Sequence, residues 1–150
     1  MKFKTLVALA VTLFTIAAVQ AAMTVTLYQP DASLERISAA FVSAADGTVS
    51  QAITIRGTIV RVVTDPGATA PTTLWDITCP DANGVDLFAA QGADRSATVT
   101  EHFVPGVPFK DGTTAGLAPV VYMGTATLTI TNAGNAKNGT VIVYVQKSTN

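Results

Sequence analysis

Ala126-Thr127-Leu128-Thr129-Ile130-Thr131 alternates without a break, with Ala126, Leu128 and Ile130 on one side and three threonines on the other. Successive side chains of a strand point to opposite faces, so this period of two marks a strand with one buried face. Val25 and Leu27 alternate with Thr24, Thr26 and Tyr28 in the same manner. Ile53, Ile55, Ile59, Val60, Val62 and Val63 define a long β-rich stretch interrupted at Gly57, where a bulge or a bend between two strands is expected. Further strands are expected over Leu74–Cys79, Val85–Ala89, Ala97–Val104, Pro119–Tyr122 and Thr140–Gln146.

Turn chemistry separates these runs. Asp65-Pro66-Gly67, Pro80-Asp81-Ala82-Asn83-Gly84 and Lys110-Asp111-Gly112 combine the preset φ of proline with residues that tolerate positive φ. Asn83-Gly84 predicts a hairpin, and the stretch from Asn132 to Gly139 predicts a longer loop before the last strand. Ala32–Ala45 has Leu34, Ile37 and Phe41 at helical spacing, but Ile37, Ala39 and Phe41 also alternate, which reads as strand or irregular structure. Many short strands with Gly/Pro turns and no convincing helix predict an all-β fold, an antiparallel β-sandwich of jelly-roll or immunoglobulin-like type.

The chain has 150 residues, enough for one domain. Residues 1–22 read apart from the rest. Lys2 and Lys4 precede the uncharged, largely apolar Leu6–Val19, and Val19-Gln20-Ala21 ends it with small residues. That layout is a secretory signal; a retained anchor and a true start at Met23 are the alternatives. The domain proper is residues 23–150. Without Lys2 and Lys4 it has seven basic against ten acidic groups, a formal charge of −3. No basic run occurs, which argues against nucleic acid as a partner, and the mature domain offers no reason to contact a membrane.

The chemistry-bearing inventory is thin. Cys79 is the sole cysteine and His102 the sole histidine. Glu101 and His102 are strand neighbours that point to opposite faces, no G-x-S-x-G surrounds any serine, and Cys79 has no cationic neighbour in sequence to lower its pKa. Asp76, Asp81, Asp86 and Asp94 suggest calcium only superficially, because the EF-hand order is missing; Asp81 and Asn83 read as turn formers. No P-loop or dinucleotide fingerprint is present. These residues predict no catalytic, cofactor or metal site, and no enzyme.

In the last strand Val141, Val143 and Val145 point one way while Ile142 and Tyr144 point the other. Two apolar faces mean either a central strand covered by the chain itself or a face used between subunits. Ile142 and Tyr144 are the candidates for the outward face, and Trp75, at the start of a strand, is a core or interface anchor. A homo-oligomer is expected.

The stretch from Gly57 to Tyr144 resembles a group of small proteins encoded among the virion structural genes of tailed bacteriophages and prophages. The pieces that carry the resemblance are Leu74–Thr78 leading through Asp81–Leu87, then Gly92–Ser96, Leu128–Gly134 and Gly139–Tyr144. The signal-like N-terminus departs from that group. The resemblance implies a non-enzymatic head-decoration or tail-associated protein that contacts other virion proteins and assembles with itself, a trimer being favoured, with a location on the virion. The alternative is a secreted or periplasmic β-sandwich module, adhesin-like or carbohydrate-binding.

Overall fold

The computed structural model describes residues 20–108 and 117–147; the signal-like residues 1–19 lie outside the described residues. Nine strands follow in order: β1 (Ala22–Tyr28), β2 (Leu34–Val42), β3 (Val49–Pro66), β4 (Asp76–Thr78), β5 (Glu101–Phe103), β6 (Gly106–Pro108), β7 (Leu117–Pro119), β8 (Val121–Thr131) and β9 (Asn138–Gln146). No helix occurs among the described residues.

Seven strands form one antiparallel sheet in the order β1-β2-β9-β3-β8-β4, with β5 also paired to β3; β6 and β7 form a separate two-stranded ribbon. The architecture turns on β3. Its first half pairs with β8 from Val49 to Thr58, and its second half pairs with β9 from Thr58 to Pro66. Thr58 meets both Val121 and Gln146, so β8 and β9 lie on opposite edges of β3. Gly57, at φ 150°, precedes this exchange, and a register shift follows between Ile59 and Arg61. One strand therefore serves two layers: β1-β2-β9 with the second half of β3 and β5, facing the first half of β3 with β8 and β4. The result is a β-sandwich.

Alternation supplies the filling. Ile37 and Phe41 of β2, Ile53, Ile55 and Ile59 of β3, Leu128 and Ile130 of β8, and Val141, Val143 and Val145 of β9 point inward and are buried. Each such side chain contributes roughly 1.5–3 kcal/mol on removal from water. Trp75 and Phe88 join them from irregular segments, Trp75 lying 5.5 Å from the Phe41 ring. Ala32–Ala45 resolves in favour of its period of two, as β2.

Two expected strands are not regular. Val85–Ala89 contributes only an isolated bridge between Pro80 and Asp86, and Ala97–Val104 shortens to β5. In the first, the Asp86 carboxylate accepts the backbone N–H groups of Cys79 (2.8 Å), Phe88 (3.1 Å) and Ala90 (3.0 Å), and Ala89 and Ala90 take φ of 52° and 60°. A side chain that satisfies three amides replaces the ladder a neighbouring strand would provide. In the second, Ser96 Oγ accepts the N–H groups of Thr98 and Val99 and curls the chain before Glu101.

Candidate functional site

β9 lies between β2 and β3, so it is an internal strand. Its three valines fill the core, while Ile142 and Tyr144 lie on the outer face, half-buried rather than bare. The register explains their cover. Tyr144 sits opposite Arg36 on one side and Arg61 on the other, and Ile142 sits opposite Ser38 and Val63. Ile142 and Tyr144 therefore share the outer face with Ser38, Val63, Arg36 and Arg61 and remain part-exposed there.

Trp75 is placed elsewhere. It is fully buried, its Nε1 donates to the Ser96 carbonyl at 3.0 Å, and it is a core anchor that reaches no surface. Its candidacy as a contact residue is thereby corrected, because an indole enclosed on all sides has no area left for a partner.

The remaining polar candidates stay apart. His102 is exposed on the outer side of β5 opposite Val63, while Glu101 faces Thr64, accepts the Ser96 N–H and pairs with Arg95 at 3.8 Å. Cys79 is fully buried, and burial first, with the Asp86 charge second, pushes its thiol up to about 12. Such a thiol is no nucleophile at neutral pH. Asp81 accepts the N–H groups of Asn83 and Val85, which hold its carboxyl below the usual range. Asp76 is taken up by the Asp94 N–H and the Asn132 amide. No group of three metal-ligating side chains occurs among the described residues.

Among the described residues, shallow clefts of about 300 Å³ indent the surface at two places. One, between β1, β2 and β3, is lined by Leu27, Gln29, Glu35, Thr54 and Arg56. Its buried Glu35 is already engaged by Gln29 at 3.2 Å and Lys147 at 3.4 Å. The other lies over β4 and is bordered by Asp76 and Asp86, whose carboxylates are spoken for as above.

Among the described residues, exposed apolar side chains gather around the β6–β7 ribbon and the start of β8, a feature that no alternation in the sequence announces. Val104, Val107, Leu117, Val121 and Met123 are each more than half exposed, the last at 68%. β7 runs into β8, so the ribbon continues onto the outer side of the second layer, where Val121 and Met123 stand opposite Thr58 and Arg56. The available signal was charge: neither Val104–Pro108 nor Leu117–Ile130 contains a charged residue. Together the five offer apolar area on the order of several hundred Å², and Val107, opposite Ala118, points to the other face of the ribbon from Leu117.

No known protein family, curated protein or solved structure matches the chain.

Proposed function

We propose that the chain is a non-enzymatic structural protein that acts through protein–protein contacts, as a component on the exterior of a phage particle. The observation behind the contact role is the run of exposed apolar side chains Leu117, Val121 and Met123 where β7 passes into β8. Exposed hydrophobic area costs solubility unless something covers it. A second copy suits it best: symmetric assembly brings the same apolar side chains of two copies together, with the exposed Arg56 beside Met123 at the rim. The particle assignment rests on the order of strand and turn pieces between Gly57 and Tyr144, and a trimer is the favoured assembly on the same ground.

Density-gradient purification of particles from a host that carries the gene, with a tagged chain, tests this reading. The tagged chain should band with the particles. The variant carrying Val121→Asp and Met123→Asp should remain folded by far-UV circular dichroism yet leave the particle band. Recovery only from the periplasm or medium would overturn the particle role. It would favour a secreted β-sandwich binding module, the reading that the charged, apolar and small segments of residues 1–22 support.

A further inference from the structure

One row of residues crosses the outer face of the first layer on four adjacent strands. Tyr28 of β1 is opposite Arg36 of β2, Arg36 is opposite Tyr144 of β9, and Tyr144 is opposite Arg61 of β3. Directly opposed residues of antiparallel strands share a face, so two rings and two guanidinium groups alternate along a single line. The Arg36 guanidinium lies over the Tyr28 ring, 5.5 Å from its centroid. Arg61 is exposed and Tyr144 half-buried between the two arginines.

Among the described residues no acidic side chain pairs with the row. The ion pairs among the described residues join Arg95 to Glu101 and Lys147 to Glu35, and neither involves Arg36 or Arg61. Glu35 points to the opposite face from Arg36, and Asp65, further along β3, accepts from Thr100 at 2.6 Å. Arg36 Nε is buried without a hydrogen-bond partner. A buried donor left unpaired is costly, and the acceptor that suits a guanidinium fork is an oxyanion.

We infer that the Tyr28–Arg36–Tyr144–Arg61 row binds an acidic saccharide, its carboxylates or sulfates taken by Arg36 and Arg61 and its ring faces by the tyrosines. Two inter-strand steps separate the arginines by about 10 Å, so one chain of sugars laid across the strands reaches both. Thr26 and Ser38, on the next row of the same face, supply hydroxyls to either side. Nucleic acid fits poorly, because two cations on a domain of net negative charge neutralise too little phosphate. A peptide added as a strand would take the free edge of β1, beside Tyr28 and away from both arginines, since β2 and β9 are paired on both sides. This site is on the other layer from Val121 and Met123 and stands or falls separately from the contact role.

Affinity electrophoresis of the purified chain in gels containing polygalacturonate, dextran sulfate or neutral dextran tests the inference. Retardation by polygalacturonate identifies carboxylates, retardation by dextran sulfate identifies sulfates, and either supports the site if dextran has no effect. Replacing Arg61, which is exposed and removable without loss of fold, by Ala should weaken binding at least tenfold, with Arg61→Lys recovering it only partly. Tyr144→Ala should also weaken it, and added salt should release the chain. No retardation by either acidic polymer, equal retardation by dextran, equal affinity for duplex DNA, or an unaffected Arg61→Ala variant would each overturn it.

Discussion

Cys79 shows how position alone sets the chemistry of a side chain. Its thiol is enclosed and lies beside the Asp86 carboxylate, so its pKa rises from an ordinary 9.0 to about 12. In the unfolded chain the thiol ionises near 9, and in the folded chain it stays neutral. This contribution to stability is therefore complete below pH 9 and is lost as pH rises from about 9 towards 12. Between pH 7 and pH 10 the wild type should lose about 1.4 kcal/mol more than Cys79→Ala, from one proton released only on unfolding. Urea midpoints of both proteins at the two pH values measure the difference; parallel changes would contradict it. Asp86 acts through hydrogen bonds to the backbone of Cys79, Phe88 and Ala90. Removal of a charged acceptor that serves several amides should make Asp86→Ala less stable by about 2–4 kcal/mol, with Asp86→Asn in between. A loss under 1 kcal/mol would show that the left-handed turn at Ala89 and Ala90 holds itself.

At the scale of elements, β3 carries the fold, and Gly57 is where it changes partners. With φ at 150°, Gly57 lies outside the range of other residues, and an added Cβ would overlap the Gln146 carbonyl. Gly84 has a φ of 80° but open space around it. Both substitutions to alanine carry backbone strain of about 1–2 kcal/mol, but Gly57→Ala must also displace β9 from β3. It should be the more damaging by at least about 2 kcal/mol, and equal midpoints in urea unfolding would show that the bend tolerates a side chain. Much of this was legible. Period two marked β1 and β8, runs of β-branched residues marked β3 and β9, and the interruption at Gly57 marked the bend, because these follow from local sterics. The exchange of β9 for β8 along β3 was not legible, since pairing between strands this far apart in sequence leaves no local trace. Val85–Ala89 misled because Leu87 and Phe88 are buried by a turn built on Asp86, while Val85 is left exposed, and the sequence does not display the hydrogen bonds of that turn.

For the whole molecule, the question is which outer surface needs a partner. The two apolar faces of β9 point to Ile142 and Tyr144; beside them stand Arg36, Arg61 and Val63, which come from β2 and β3 and which only the register brings there. The ribbon was missed for the converse reason. Its exposed apolar side chains are spread over Val104–Met123 among prolines and glycines and around the charged Lys110-Asp111, with no periodicity to betray a face. Multi-angle light scattering at high micromolar concentration tests the contact role most directly. The wild-type domain should have the mass of an oligomer, and Val121→Asp with Met123→Asp should reduce it to a monomer with an unchanged melting profile. A wild-type mass equal to one chain at that concentration would contradict self-assembly through the ribbon.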